Sequence, residues 1–388
     1  MGFEGTRRDL LKAAVAAALA GLPRELFALA QDEELVDFDD LSSFRVETRA
    51  ATPRVKFFDL RRLTSLYTPQ SEFFEFHQTE TVRVNAAEWR LRVTGFVDKP
   101  REFTLEEIKQ RADKRDLAVT VECSGNMAFG AFNGQVSTGL WTGVSLAAIL
   151  KECGVKPEAR EVVFLGLDVE RERNATFSTV HGRSVFVQDA LDPNAMLAYA
   201  LNGEPLTPEH GFPLRVILPG WYGMTQIKWL AEIQVLDRRY EGTHMARNYH
   251  TIQQRPWPGD EAVFAETSIS KTKLKSVVAR VTRKKDESGR RQYIVRGAAW
   301  GGAAPLKSVE ISIDEKPWQP ATLGERNGNY AWVLWSLPWN DVTSGPHTVV
   351  SRAIDEAGNV QPTAAEFKEK VKTLREDNSQ WPRRIVIT

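Results

Sequence analysis

The stretch Leu117-Ala118-Val119-Thr120-Val121-Glu122-Cys123-Ser124-Gly125-Asn126 decides how this chain is read. Residues 117–121 form a short apolar, β-branched run, which predicts a buried strand that delivers Cys123 at its end. Small and polar residues follow at once, so the thiol sits where a strand gives way to a turn. Only one other cysteine, Cys153, occurs in the chain. A single thiol in such a setting suggests a metal ligand or a nucleophile. Two plainer readings stand beside it: a quiet core cysteine and a Cys123–Cys153 disulfide.

Toward the N-terminus, Thr6-Arg7-Arg8-Asp9-Leu10-Leu11-Lys12 has the form of a twin-arginine n-region. An alanine-rich apolar stretch over residues 13–22 and the small-x-small sequence Ala28-Leu29-Ala30 complete an export signal, cleaved after about Ala30. The apolar run is shorter than the roughly 20 residues a spanning helix needs. Residues 1–30 are therefore expected to be a twin-arginine signal peptide, and the rest a soluble periplasmic protein exported already folded. Proteins of an oxidising compartment usually pair their cysteines or omit them, which sharpens the question of why Cys123 is there. The chain carries 51 basic and 51 acidic side chains. That balance gives no support to nucleic-acid binding, which favours a strongly basic face.

Residues 31–250 mix strands and short helices without a regular βαβ rhythm, the pattern of an α+β domain. Residues 89–97 alternate as a strand does, and Thr104 with Glu107 three positions on forms a capping box. Residues 145–153 predict a helix closed by Gly154. Further strands are expected over 161–167, 212–220 and 227–236. Residues 31–79, with Phe44, Phe57, Phe58, Phe73 and Phe74 as anchors, predict an extended lead-in laid over this domain. Pro256, Pro258 and Gly259 mark a linker over 251–275. Beyond it, short strand-like runs separated by turn formers such as Asp286-Glu287-Ser288-Gly289 predict an all-β sandwich over 276–388.

Several separated motifs then occur in a telling order: Cys123-Ser124-Gly125-Asn126, Leu140-Trp141-Thr142-Gly143-Val144-Ser145-Leu146, His210-Gly211-Phe212-Pro213-Leu214-Arg215, and Pro219-Gly220-Trp221-Tyr222-Gly223 leading to Ile227-Lys228-Trp229-Leu230. Near the C-terminus come Gly297-Ala298-Ala299-Trp300-Gly301-Gly302 and Asp355-Glu356-Ala357-Gly358-Asn359. Together they resemble the sulfite oxidase family of molybdenum enzymes over nearly the whole length after the signal. The resemblance implies a molybdopterin-binding α+β domain followed by an immunoglobulin-like dimerisation domain, and hence a homodimer. It implies the molybdenum cofactor, with Cys123 as metal ligand. Phe76, His77, Asp168, His210, Arg215, Gln226, Ile227 and Lys228 fall at positions that contact the pterin. A thiolate is a soft donor suited to molybdenum already held by a dithiolene, and Arg215 and Lys228 offer a planar fork and a point charge for the pterin phosphate.

The departures bear on the substrate. Sulfite oxidases carry arginines where this chain has Phe76, Met127-Ala128 and Thr225, and the family's active-site tyrosine aligns with His181. His181, Arg183 or Arg173 are the residues left to restore charge, so His181 and Arg183 are expected at the catalytic centre beside Cys123. The implied activity is oxygen-atom transfer on a small sulfur compound, sulfite dehydrogenase-like. A sulfane dehydrogenase subunit and a methionine-sulfoxide-type reductase are the alternatives, the last through Phe73-Phe74-Glu75-Phe76. The chain contains no Cys-x-x-Cys-His haem motif. A c-type cytochrome or a quinone-linked membrane subunit is thus the expected electron partner.

Overall fold

A computed structural model describes residues 33–42, 55–127, 133–171, 177–259, 261–373 and 375–388. The signal-peptide expectation, Phe44, Ala128 and Arg173 fall outside them. Among the described residues no helix is long and apolar enough to cross a membrane.

The first domain is built on two five-stranded sheets with short helices at their edges. One sheet runs Glu204–Pro205, Met196–Leu201, Val136–Ser145, Arg115–Glu122, with Arg215–Ile217 pairing to Met196–Leu201 as well. The other runs Arg101–Phe103, Leu91–Gly95, Leu230–Leu236, Glu161–Arg171, Ser178–Phe186, antiparallel except between Leu91–Gly95 and Leu230–Leu236. Local sequence sets the helices between them. Thr104 and Glu107 close a reciprocal capping box at the start of Leu105–Lys109. Ser145 caps Leu146–Cys153, which ends at Gly154 in the left-handed region. Apolar side chains of both sheets and both helices share one core, including Cys153. Cys123 and Cys153 are both free thiols.

The second domain is a sandwich of two sheets. The first is Glu34–Val36, Lys275–Lys285, Arg291–Trp300, Val333–Trp339, Thr322–Leu323; the second is Gln319–Pro320, Leu306–Ile313, Gly345–Asp355, Arg383–Ile387. Two expectations change here. The start of the lead-in does not lie over the first domain: Glu34–Val36 is an edge strand of the sandwich, and Phe38, Phe58, Leu60 and Leu63 sit in the sandwich core. Ion pairs from Glu34 to Arg283 and from Glu33 to Arg296 fix its register, a long-range pairing that local periodicity cannot display. Phe73 does pack in the first domain, against Trp141. The stretch read as a linker holds an antiparallel hairpin, His250–Arg255 with Val263–Ser268, and Pro256 and Pro258 lie in its turn.

The strand Arg115–Glu122 joins the domains because its residues alternate in facing. Val119 and Val121 point into an apolar cluster of the first domain, while Thr120 and Glu122 face the sandwich. The Thr120 backbone N–H donates to Tyr330 O at 2.8 Å, and its hydroxyl accepts from Trp332 N at 2.7 Å. Glu122 is fully buried and accepts from Lys275 Nζ at 2.7 Å, Trp300 Nε1 at 2.8 Å and Asn126 Nδ2 at 3.0 Å. Removing one member of a buried ion pair leaves a stranded charge, at a cost of about 3–5 kcal/mol. Lys275→Met should therefore lower unfolding stability by about that much, and the double variant Glu122→Gln/Lys275→Met by clearly less, read from urea unfolding.

Candidate active site

Cys123 leaves the end of its strand in a turn held on every side. Its N–H donates to Gln135 O at 2.9 Å, and Asn126 N donates back to Cys123 O at 2.9 Å. The Asn126 side chain donates to Glu122 and accepts from Gln135 N at 3.0 Å, so one amide locks both ends of the turn. From the second domain, Glu376 N donates to Ser124 O at 2.7 Å. Gly223 passes beneath: a Cβ there would meet Val121 Cγ1 at 3.2 Å and Glu122 O at 3.3 Å. The buried thiol opens on a cleft of about 740 Å³. Burial pushes the Cys123 thiol up to about 11, against the pull of a Gly125 backbone bond and of Arg375.

The structure gathers most of the expected site residues on this cleft: Phe76, His77, Cys123, Asp168, His181, His210, Arg215, Gln226, Ile227 and Lys228 all line it. One wall concentrates positive charge. Arg215 lies over the Trp141 ring at 4.9 Å and donates to the carbonyls of His210 and Gln226, both at 3.1 Å. Lys228 Nζ donates to Phe76 O at 3.2 Å and Glu209 O at 3.1 Å. Gly211 makes this approach possible: its φ is +99°, and a Cβ would sit 2.9 Å from Lys228 Cβ. Neither cation has a carboxylate at ion-pair distance among the described residues. Burial, with Arg215 alongside, drives the Lys228 ammonium well below its ordinary value, and burial holds Arg215 down to about 9. His77 and His210 are each held at about 3, by burial first and then by Lys228 and Arg215. Several buried polar atoms on the same cleft find no partner: His77 Nε2, Asp168 Oδ1, Arg215 Nε and Gln226 Oε1. Buried groups left so are rare unless a ligand completes them.

The far wall differs from expectation. Arg183 is not at the cleft: it is fully buried and its guanidinium donates to the backbone carbonyls of His244 and, at 2.8 Å, Ile269. Its place on the inward face of Ser178–Phe186 makes it a brace for the segment behind the site. His181 lines the cleft, but its Nδ1 is engaged with Glu170 Oε1 at 3.1 Å, and His244 Nε2 reaches the same oxygen at 3.1 Å. The cleft also has a tyrosine of its own besides His181. Tyr249 accepts from Gln78 Nε2 at 2.7 Å, and burial, with Cys123 nearby, pushes its phenol up to about 12. Arg375, from the sandwich, lies over the Tyr249 ring at 4.4 Å. Tyr249, Arg375, Glu170 and His244 were not foreseen. Glu170 two residues after Asp168 was the one local signal; the others arrive from segments far away in sequence.

Comparison with known proteins matches residues 77–244 to the oxidoreductase molybdopterin binding domain and residues 266–387 to the Mo-co oxidoreductase dimerisation domain. The mitochondrial sulfite oxidase of Drosophila melanogaster is 31% identical over 331 residues, 76% of this chain and 55% of that protein. Nitrate reductase [NADH] 2 of Arabidopsis thaliana is 30% identical over 312 residues, 71% of this chain and 34% of that protein. The chain thus spans about a third of the nitrate reductases it matches. Among solved structures, the sulfane dehydrogenase SoxCD of Paracoccus pantotrophus superposes with a TM-score of 0.75 at 25% identity, covering 88% of this chain and 89% of that one.

The crowded basic wall has a measurable consequence. His77 and His210 titrate near 3 when folded and near 6.5 when unfolded. The unfolded chain then binds more protons between those values, so stability falls as pH is lowered through this window. Cofactor-free protein should lose about 2–3 kcal/mol per pH unit more than the His77→Gln/His210→Gln variant below pH 6. Unfolding curves at pH 7, 6 and 5 read the difference; parallel slopes for the two proteins would contradict it.

Proposed function

Since the chain belongs to the sulfite-oxidase family of molybdopterin oxidoreductases, we propose that it oxidises a small anionic sulfur compound in the periplasm and hands the electrons to a separate carrier. The cofactor is molybdopterin, and the unsatisfied groups of the cleft suit it. Arg215 and Lys228 supply the positive charge, and the neutral His77 and His210 supply ring N–H donors, that a phosphate-bearing ligand requires. Asp168 Oδ1 and Gln226 Oε1 are free acceptors for the N–H groups of a pterin. Phe76 and Ile227 supply apolar lining beside them.

When bound, the cofactor supplies two-electron oxygen-atom transfer. Cys123 is the proposed thiolate ligand. A thiol held near 11 is protonated on its own, so it needs a soft cation to become a thiolate. The same value speaks against a cysteine hydrolase, whose nucleophile must ionise without a metal. Tyr249 takes a hydrogen bond from Gln78, which leaves the phenolic proton available to an acceptor in the cleft. His181, fixed through Nδ1, presents a second polar group there.

The observation that carries the choice of substrate is Arg375. The chain lacks arginines at 76, 127 and 225, yet the sandwich reaches over Tyr249 with a cation that acts on Cys123. Tyr249 lines the cleft, so an anion bound between it and Cys123 would be held by that charge from behind the ring. The named relatives act on sulfite, nitrate and sulfane sulfur, which is consistent with this charge requirement. The twin-arginine segment supports export, the C-terminal domain supports a homodimer, and the absence of a haem motif in the chain supports a c-type cytochrome or quinone-linked partner. A second reading, reduction of a neutral organic S-oxide, has Phe74, Phe76 and Met224 on the cleft in its favour.

Arg375→Gln separates the two. With sulfite and an artificial electron acceptor, KM should rise at least about tenfold, the loss of one charge-assisted contact, while kcat changes less. Turnover of a neutral sulfoxide by the wild type, without sulfite oxidation and untouched by Arg375→Gln, would replace the first reading with the second.

A further inference from the structure

We infer that Glu170, His181 and His244 form a second metal site, for one divalent ion of the zinc class, at the place where His181 lines the cleft. The donors converge on a single point. His181 Nδ1 and His244 Nε2 each lie 3.1 Å from Glu170 Oε1, and the three ligating atoms all fall within 4.8 Å of one another. For bond lengths near 2.0–2.1 Å, the edge of a tetrahedral site is about 3.3 Å. The two nitrogen-to-oxygen separations are already close to that edge.

Strand pairing and one buried hydrogen bond set the framework that holds these side chains. Glu170 pairs with Thr179 across the hairpin Glu161–Arg171/Ser178–Phe186, which puts His181 diagonally opposite it on the same face. His244 is buried on the short helix Thr243–Ala246. Arg183, two positions after His181 on the same strand, donates to the His244 carbonyl and pins that helix to the sheet. An arginine of no use at the cleft thus acquires a task behind it. The Asn248 amide nitrogen stands 3.5 Å from His244 Nδ1. A flip of that amide on metal binding would offer its oxygen to the Nδ1–H and leave the Nε2 lone pair for a cation, the usual outer partner of a ligating histidine.

Two imidazoles and one carboxylate suit zinc, nickel or copper, and not magnesium or calcium, which take oxygen cages. Three protein ligands leave one coordination position, and His181 opens on the cleft. That is the layout of a site accessible to solvent and small anions, unlike a closed structural zinc site. The set contains no thiolate and shares no residue with the proposed cofactor contacts Cys123, Arg215 and Lys228. It would place a second positive centre on the cleft without disturbing the first.

The test is Zn²⁺ titration of the full-length, molybdenum-loaded protein, stripped beforehand with a mild chelator and read by calorimetry and by Co²⁺ substitution. One Zn²⁺ per chain is expected, with two hyperfine-shifted imidazole N–H resonances in the Co²⁺ form. His244→Ala and Glu170→Gln should each weaken binding by about 100-fold or more, and Asn248→Ala by about 10-fold, as outer-partner losses do. His347→Gln, on a separate histidine–carboxylate pair of the sandwich, should bind as the wild type does. If a variant fails to fold, the wild-type Co²⁺ spectrum still decides. No saturable binding, a spectrum without two imidazoles, or unchanged affinity in folded His244→Ala protein would overturn the assignment.

Discussion

The Glu122 carboxylate, sealed from solvent, accepts hydrogen bonds from Lys275 and Trp300 of one domain and Asn126 of the other, and the position of Cys123 follows from that. A charge buried so deeply is tolerable only when every lone pair is answered. Answering it requires both domains in one relative placement. The same placement brings Glu376 onto the Ser124 carbonyl and sets Arg375 over Tyr249. The cleft is therefore a feature of the seam between two domains, and a cysteine one residue beyond the carboxylate inherits its rigidity. Positioning to within fractions of an ångström is what a metal ligand needs from its support.

Electrostatics gives the cleft its second character. Most proteins answer a buried arginine or lysine with a carboxylate; here, among the described residues, Arg215 and Lys228 hydrogen-bond to carbonyl oxygens and lie over the Trp141 and Trp229 rings with no carboxylate at ion-pair distance, and two histidines are held neutral beside them. The wall is costly to build without an anionic ligand and favourable with one. A ligand that binds only the folded state stabilises it by mass action, so cofactor loading and folding should be coupled in this chain.

Much of this was legible in the sequence because it is written locally. The strand ending at Cys123, the capping box at Thr104–Glu107 and the helix stop at Gly154 each depend on neighbours a few residues away. The basic and polar residues that line the cleft were legible because they occur in ordered motifs. What escaped was non-local. Glu34–Val36 gives no sign that its partner is Lys275–Lys285, more than two hundred residues on. Arg375 and His244 sit in unremarkable segments and gain meaning only where the chain folds them. Arg183 is expected at the cleft for a related reason: alternation puts it on the same face as His181, but does not fix how far along that face the cleft extends before His244 and Ile269 cover it. Glu122 is a further local signal, since a carboxylate in an apolar strand asks for a buried partner.

The most direct measurement is X-ray absorption at the molybdenum edge on the molybdenum-loaded protein, for the wild type and for Cys123→Ser. Ligation by Cys123 adds one thiolate to the two dithiolene sulfurs, so the wild type should show three sulfur neighbours and the variant two. An identical sulfur shell in both proteins would contradict the assignment of Cys123, and with it the role given to the Glu122 seam.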